Sequence, residues 1–475
     1  MKKSLFKFLF MFILLPTVII FAQREANSSL VITELSRRVI VLKFNVGPSP
    51  NQIIAIASRK GLIVIDTHIS YNPALRMREA IEKWFNRCDF AYVINTHEDM
   101  DHTGGNQVFP EAEIIAHENC RQLMNRYKEN PASYLDTGWF EERIKMLQKK
   151  LKSLGPQSGI AIDLKAQVSL NREVIRDFQS DYQITPPTIG FTDRLTLDLG
   201  DLTSELIFFD QAHSKSDIVI YIPEEKILMT GDLFHGNHMP MGVYHGQPNV
   251  ARWLMILDAL LEDQNDIEYV VCGHRDIWTK EKLVQRRDYM RLLWDGVNQL
   301  FSEGLGVEEA LRRLPLHTDS DLYQSVLENR KKEGQSDVEA KIESYHERAI
   351  KAYWRRLQRD AVEEVEKALR EGGIEEARRT MNHLLEIESR LVYFNESGFN
   401  MLGYQLLGSE KHQEAIEIFQ FGIRAFPESA NLYDSLGEAY MRAGNKKKAV
   451  QNYEKSLELN PQNENARKIL KDLRK

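Results

Sequence analysis

Short apolar runs typical of β-strands follow one another between residues 30 and 280, and beyond that point they stop. The runs before the middle of the chain are RRVIVLKFNV, QIIAIAS, GLIVID, AYVIN and EIIAH, and those after it are RLTLDLG, SELIFFD, DIVIYIP, KILMTGD and EYVVCG. Helix-type segments over residues 73–86 and 250–261 separate some of them, and residues 119–184 are charged and helix-compatible. This alternation predicts one α/β domain interrupted by a helical insert.

The length and the net charge of the chain limit the number of folded units and the kind of partner. The chain has 475 residues, 43% of them hydrophobic, which is enough for two or more folded units. Its formal net charge is −7. A mildly acidic chain of this kind is not expected to bind nucleic acid.

The N-terminal segment MKKSLFKFLFMFILLPTVIIFAQ has lysines near its start, an apolar central run and a short Phe-Ala-Gln end. We predict that residues 1–23 are a secretory signal peptide, cut near Ala22 or Gln23, which makes the protein periplasmic or secreted, with no membrane contact after cleavage. The alternative is an uncleaved anchor, since the apolar run is almost long enough to span a bilayer. Cys88, Cys120 and Cys272 are too few for a disulfide framework, and their redox state stays open.

The C-terminal part contains an internal repeat. Leu402-Gly403 returns as Leu436-Gly437, Ala415 as Ala449, Phe419 as Tyr453 and Pro427 as Pro461, each 34 residues later. This period resembles the tetratricopeptide repeat, with small residues where two helices cross. Residues around Ala377 resemble a third, degenerate copy, and NENARKILKDLRK is expected to cap the stack. We therefore expect a helical connector over residues 301–360 and an all-α repeat domain over 361–475.

The stretch THEDMDHTGGN, directly after AYVIN, brings two histidines and three carboxylates into six residues. Alternate residues of extended chain project to the same side, so His97 and Asp99 are predicted to face one metal ion, and Asp101 and His102 another. Three more ligand-type residues follow later strand-type runs: His213, Asp232 and His274. Seven such residues at strand ends predict a binuclear metal site.

The order HxxxDH, then His213, then Asp232 after Thr-Gly, then Gly-His274, resembles the metallo-β-lactamase-fold hydrolase superfamily over about residues 30–288. The resemblance implies a four-layer αββα sandwich, expected here over residues 24–300 with the insert at 119–184. It implies that His97, Asp99 and His213 hold one ion, that Asp101, His102 and His274 hold the other, and that Asp232 bridges them. It also implies that Asp66 supports the ligand loop from behind, and that Asp101 orients an attacking hydroxide.

Asp99 departs from this family's usual HxHxDH loop. Carboxylate still binds zinc but is a harder ligand than imidazole. Two divalent ions and one hydroxide would be balanced by Asp99, Asp101 and Asp232, so the site would be one unit less positive than usual. We expect zinc, with manganese or iron as alternatives. In another interpretation, Asp99 is not a ligand and the first ion is weak or absent.

The function implied is an exported metal-dependent hydrolase that uses a metal-bound hydroxide on a small ester, lactone, sulfate ester or related bond, with β-lactam hydrolysis as a minor alternative. A rival hypothesis is an exported interaction protein that acts through its repeats. The repeats would bind a protein partner, pair two copies of the chain or pack internally. Glu98 alternates with the ligands and is expected to point away from them as a loop residue. Open roles remain for His68, the insert aromatics, and the loop histidines His235, His238 and His245.

Overall fold

The computed structural model describes residues 20–21, 30–44, 50–154, 159–180, 182–210, 212–234, 249–262, 265–332 and 337–473. Most of the predicted signal peptide, its cleavage site and the three loop histidines lie outside these ranges. The contacts divide the chain into two compact units: residues 1–292 with 316–349, and residues 293–315 with 350–475. Within the described ranges, no helix combines the length and apolar character needed to cross a bilayer. The domain boundaries expected from the sequence stay predictions.

The first sheet of the N-terminal unit has eight strands in sequence order. They are β1 Ile20–Phe21, β2 Leu30–Glu34, β3 Val39–Phe44, β4 Ile53–Ser58, β5 Gly61–Ile65, β6 Phe90–Ile94, β7 Glu113–His117 and β8 Ile189–Phe191. Strands β1 to β5 pair antiparallel, whereas β5 to β8 pair parallel. The parallel half therefore places the carboxyl ends of β5 and β6 side by side.

The second sheet has six strands in the order β14-β13-β12-β11-β10-β9. They are β9 Arg194–Asp198, β10 Thr203–Phe208, β11 Ile218–Ile222, β12 Ile227–Gly231, β13 Tyr269–Cys272 and β14 Ile277–Trp278. Strands β12 and β13 are parallel neighbours, and the other pairs are antiparallel. The carboxyl ends of β12 and β13 therefore also meet at one edge.

Period-two burial along the strands explains the layers. Val39 and Val41 lie in the core between the two sheets, whereas Ile40 and Leu42 pack on the outer face of the first sheet, where helix residue Met77 covers them. Alternate side chains of a strand point to opposite faces, so a strand buried on both sides is apolar throughout. At the second sheet, Trp253, which lies on the helix over residues 250–260, stacks against Phe209, the residue after β10. The predicted αββα sandwich is confirmed.

The helices complete both units. The first ten are α1 Tyr71–Phe85, α2 Met100–Thr103, α3 Glu118–Glu129, α4 Gly138–Leu151, α5 Gly159–Phe178, α6 Val250–Leu260, α7 Lys280–Ser302, α8 Val307–Arg313, α9 Asp321–Lys332 and α10 Val338–Leu357. Of these, α8 belongs to the second unit, and α7 and α10 have residues in both units. Short 3₁₀ turns occupy Asn106–Val108, Pro131–Ser133, Pro223–Glu225, Asp232–Phe234 and Ser389–Leu391. Helices α3, α4 and α5 form the predicted insert.

The C-terminal unit is helical, as predicted. It contains α11 Ala361–Glu386, α12 Glu396–Gly408, α13 His412–Ala425, α14 Ala430–Arg442, α15 Lys446–Leu459 and α16 Glu464–Leu473, with the short strands β15 Arg359–Asp360 and β16 Val392–Tyr393. The repeat glycines lie where paired helices cross. A Cβ on Gly403 would stand 2.4 Å from the Phe419 ring, and one on Gly437 would stand 3.1 Å from the Tyr453 ring.

Other repeat features have equally direct roles. Helix α11 breaks at Gly373, whose φ of 71° is non-helical, so the segment around Ala377 forms the second arm of a helical pair. Ala466 and Leu470 of α16 bury their side chains in the core formed by the repeats. The terminal helix thus covers the end of the stack, as stacked repeats require.

Candidate metal centre

All seven predicted ligands lie at one edge of the sandwich. His97, Asp99, Asp101 and His102 follow β6, His213 follows β10, and Asp232 and His274 follow the parallel strands β12 and β13. The two sheets are joined at this edge, because the Ile218 amide of β11 donates to the Thr96 carbonyl at 3.0 Å. Strand ends of two packed sheets therefore bring together residues that are far apart in the sequence.

The first group of ligand atoms comprises His97, His213 and Asp232, whose candidate donor atoms lie within 4.8 Å of one another. The Asp99 Oδ2 atom is adjacent, 3.1 Å from His213 Nε2 and 3.6 Å from His97 Nε2. The Asp99 side chain is half-exposed, whereas His97 is fully buried. The carboxylate that departs from the family pattern thus lies where the first ion is predicted.

The second group comprises Asp101, His102 and His274, again with donor atoms within 4.8 Å. The His274 Nε2 atom lies 3.4 Å from Asp101 Oδ2 and 3.1 Å from Asp232 Oδ2. Asp232 Oδ1 lies 3.4 Å from His102 Nε2, while its Oδ2 lies 3.7 Å from His213 Nε2. Asp232 is therefore positioned between the two groups, where the resemblance places a bridging carboxylate.

Asp66 supports the site from behind. One carboxylate oxygen accepts from the Thr96 amide, and the other accepts from the Thr96 hydroxyl and lies 2.8 Å from His102 Nδ1. A proton on His102 Nδ1 leaves the Nε2 lone pair directed at Asp232, as a metal ligand requires. This position matches the supporting role that the resemblance implies for Asp66.

The electrostatics of the cluster favour cations. Burial lowers the pKa of His97, but the nearby carboxylates of Asp99 and Asp232 outweigh it and raise the pKa to about 9. Burial is likewise overcome at His274, where Asp232 and Asp101 raise the pKa to about 9. The neighbouring histidines hold the pKa of Asp101 well below its usual range, against its burial. The site therefore attracts positive charge strongly.

A pair of divalent ions fits these residues. With neutral imidazoles, three carboxylates, of which Asp232 is buried, would lie close together without enough compensating charge, which is costly. Within the described part of the chain, the buried Nε2 atoms of His97 and His102 make no hydrogen bond. Imidazole nitrogens and carboxylate oxygens are the donors that zinc and its neighbours in the periodic table prefer.

Three supporting residues were not predicted from the sequence. The Asn51 side-chain amide donates to Asp101 Oδ2 at 2.8 Å and to the Asp101 carbonyl at 3.1 Å. Glu98 points away from the ligands and accepts hydrogen bonds from the Ser216 hydroxyl and the Lys215 amide, so it holds the loop that carries His213. Asp217 accepts from the Ser214 amide and hydroxyl within the same loop. No short sequence motif predicts these contacts.

The glycines of the site act by close approach. Gly104 and Gly105 have φ values of −64° and −95°, which suit any residue. Cβ atoms there would, however, stand 2.2 Å and 2.0 Å from the carbonyl oxygens of Ile69 and Thr67. A Cβ on Gly273 would stand 2.1 Å from Asp232 Oδ1. Glycine is required because the ligand loops pack against neighbouring backbone and ligands.

A cavity of about 440 Å³ opens onto the ligands. The site side contributes Asn51, His68, Asp99, Asp101, His213, Asp232 and His274, and the insert contributes Trp139, Phe140, Arg143, Gln167, Leu170, Asn171 and Val174. Phe140 also packs against Phe178, so it belongs both to the insert's own core and to the cavity wall. The insert therefore forms one wall of the predicted substrate pocket.

Comparison with known proteins agrees with this geometry. The family model of the Metallo-beta-lactamase superfamily matches residues 46–274, and that of the Tetratricopeptide repeat matches residues 430–463. Residues 46–274 are a metallo-beta-lactamase superfamily domain. The matched range contains all seven predicted ligands of the metallo-beta-lactamase domain, and the repeat family predicted for the C-terminal unit is likewise confirmed.

Two curated relatives match parts of the chain. A type 2 metallo-beta-lactamase of Bacteroides fragilis is 27% identical over 112 residues, which are 24% of this chain and 45% of the relative. The alpha subunit of 2,4-dinitroanisole O-demethylase of Nocardioides sp. (strain JS1661) is 32% identical over 95 residues, 20% of this chain and 29% of the relative. The chain thus spans less than half the length of either relative.

Solved structures also resemble the chain. A metallo-beta-lactamase from Pontibacter korlensis has 14% identity and a TM-score of 0.36, covering 55% of this chain and 99% of its own. A stereoselective inverting sec-alkylsulfatase from Pseudomonas sp. has 15% identity and a TM-score of 0.44, covering 90% of this chain and 65% of its own.

Proposed function

We propose that this protein is an exported metal-dependent hydrolase that cleaves an ester, lactone, sulfate ester or related bond of a small molecule. The observation that carries the proposal is the convergence of two groups of ligand atoms, with Asp232 between them, at the floor of one cavity. Export rests on the apolar, lysine-bearing segment of residues 1–23. The repeats would serve a protein partner or self-association.

The proposed ligands are His97, Asp99 and His213 for one ion, Asp101, His102 and His274 for the other, and Asp232 for both. Divalent ions bound there, zinc before manganese or iron, would supply a Lewis acid for the substrate oxygen and would acidify a water molecule. Asp66 would fix the His102 tautomer that leaves Nε2 as the donor atom.

Asp101 has the position of a proton carrier. Its Oδ2 atom accepts from Asn51 and lies 3.4 Å from His274 Nε2, and its side chain lines the cavity. A carboxylate in that place would orient the attacking water and would then deliver the proton to the leaving group. Asn51 would keep the carboxylate turned towards the cavity during both steps.

Elemental analysis of protein purified without chelator tests the site first. We expect about two divalent ions per chain, as two complete ligand groups require. Asp232→Ala and His274→Ala should each lower the metal content and abolish turnover. His383→Ala, which removes an exposed histidine of the repeats, should leave both unchanged. Protein without metal after supplementation would contradict the proposal and favour an interaction protein that acts through its repeats.

Substrate screens follow on the loaded protein. Nitrophenyl esters, lactones and alkyl sulfates report directly on the proposed bond types, and nitrocefin reports on β-lactam hydrolysis. Hydrolysis that is lost in Asp232→Ala but retained in His383→Ala would assign the activity to this site. Turnover that survives in Asp232→Ala would place the activity elsewhere.

A further inference from the structure

Arg143 is the one positively charged side chain among the described residues that line the cavity, apart from the site histidines. It lies on α4 of the insert, within a wall that also contains Gln167 and Asn171. The remaining insert residues of the wall are apolar. The cavity therefore joins a metal-ligating floor to a wall that carries a single arginine.

The guanidinium is held by weak contacts only. Its Nη2 atom lies 3.4 Å from Gln167 Oε1, and its Cζ atom lies 5.2 Å from the centre of the Trp139 ring. Gln167 is itself fixed, because its amide donates to Asp163 at 2.8 Å. Among the described residues, no carboxylate forms an ion pair with Arg143. Partial burial lowers the pKa of Arg143, but the guanidinium stays charged at neutral pH.

Two nearby cations, Lys145 and Arg76, differ from Arg143 because each is paired with a carboxylate. Lys145, two residues along the same helix, lies 2.6 Å from Glu142 and is 67% exposed. Arg76 of α1 forms a bidentate ion pair with Glu173 of α5. A half-buried guanidinium that lies over an aromatic ring, with no anionic partner among the described residues, keeps most of its planar set of donors available for a carboxylate or a similar oxyanion.

We propose that Arg143 binds a negatively charged group of the substrate, most simply a carboxylate, at the end remote from the bond that is cleaved. The inference rests on the proposed function for the substrate class, since the same cavity serves both. The segment between the two ends would contact Ile69, Phe140 and Val174, which line the cavity and are apolar. The preferred substrates are therefore small esters, lactones or sulfate esters that carry a separate anionic group.

Binding of simple ligands tests Arg143 without turnover. Isothermal titration calorimetry of the metal-loaded protein measures the affinities for hexanoate and for hexanamide. The two ligands have the same chain length, but only hexanoate is charged. We expect Arg143→Gln and Arg143→Met to weaken hexanoate binding by about tenfold or more, and to leave hexanamide binding unchanged. Arg143→Met keeps an apolar stem over Trp139, which separates loss of charge from loss of packing. Lys145→Gln, with the same change of charge outside the cavity, should bind hexanoate as the wild type does.

The outcomes separate this inference from the proposed hydrolase. Hexanoate that binds Arg143→Gln as tightly as wild type would show that only the ions hold the carboxylate, and would overturn the inference whatever the activity. If the inference holds and the enzyme is active, wild type should prefer the half-ester nitrophenyl hydrogen glutarate over nitrophenyl butyrate in kcat/KM. Arg143→Gln should lose that preference with its metal content unchanged. Arginine-dependent binding without any turnover would overturn the hydrolase but leave the anion site.

Discussion

Asp99 is the residue at which this site differs from the family pattern, and its surroundings define what it does. Its Oδ2 atom faces both His97 and His213, the two histidines of the first group. A carboxylate there makes the first ion's surroundings less positive than an imidazole would, and it is a harder ligand. The first ion should therefore be more tolerant of manganese or iron than it would be with an imidazole at this position.

Asp99→His tests this directly. Replacing the carboxylate by imidazole restores the usual loop, and we expect zinc to bind the first position about tenfold more tightly or better, because imidazole is the softer donor. Competition with a chromogenic chelator measures the affinity, and elemental analysis measures the occupancy. Asp198→His, at an exposed turn carboxylate, controls for an added surface histidine. Equal zinc affinity in Asp99→His and wild type would mean that Asp99 does not ligate.

His68 is a buried neutral histidine beside the ligands, and it links stability to pH. Burial lowers its pKa to about 3, with the charge of Asp101 acting in the opposite direction. The unfolded chain takes up this proton near the ordinary pKa of about 6.5, so the stability from His68 is present above that pH and is lost as the pH falls below it. From pH 7.5 to 5.5 the loss is about 1.4 kcal/mol.

His68→Asn removes this titration and suits the backbone, because asparagine tolerates the left-handed conformation that His68 adopts at φ 68°. We expect the unfolding free energy of wild type to fall more than that of His68→Asn between the two pH values, by about 1.4 kcal/mol. Urea unfolding of both proteins at each pH measures the difference. Parallel pH profiles for the two proteins would show that His68 takes up its proton in the folded protein as readily as in the unfolded chain.

At the scale of elements, the insert is fastened to the sandwich at defined points. Asp177 of α5 is buried and accepts from the Ser70 hydroxyl at 2.7 Å and from the Asn72 amide at 2.9 Å, at the start of α1. Tyr182, just after α5, donates to the Gly104 carbonyl at 2.6 Å, next to the ligand loop. These contacts hold the cavity wall against the loops that carry the ligands.

Asp177→Ala should loosen this wall. The change leaves the buried Ser70 hydroxyl and the Asn72 backbone amide without their charged acceptor, which costs about 1.5–3 kcal/mol. Chemical unfolding measures the loss, and limited proteolysis should cut the insert faster. Glu142→Ala, which breaks an exposed pair with Lys145 on the same insert, should change stability by about 0.5 kcal/mol or less. Equal losses in the two variants would contradict a fastening role for Asp177.

The elements also show what a sequence can and cannot predict. Long runs such as GLIVID and DIVIYIP were predicted because strands buried on both faces are apolar throughout. Strands β2, β8 and β14 are among those that were missed, since they are short or only partly buried and have no such run. Ligands were found because histidines and carboxylates cluster after strands. Asn51, Glu98 and Arg143 were not, because their partners are distant in sequence and ordinary in type.

At the scale of the whole molecule, the two units have separate cores. The N-terminal unit is built on the cluster between its sheets, whereas the repeat helices share clusters of their own around Phe419 and Tyr453. Ligands stabilise only the folded state to which they bind, by about 2.7 kcal/mol at a concentration one hundred times the Kd. Metal bound at the proposed site should therefore stabilise the sandwich and not the repeats.

Scanning calorimetry with and without a chelator tests this separation. We expect two transitions, of which chelation lowers only one, and we expect Asp232→Ala to reproduce that shift without chelator. Gly437→Leu places a side chain against the Tyr453 ring and should lower only the other transition, with metal content unchanged. A chelator that moves both transitions equally would show that the units unfold together. A chelator that moves neither transition would show that metal does not contribute to the stability of the fold. That result would contradict a tightly held binuclear centre.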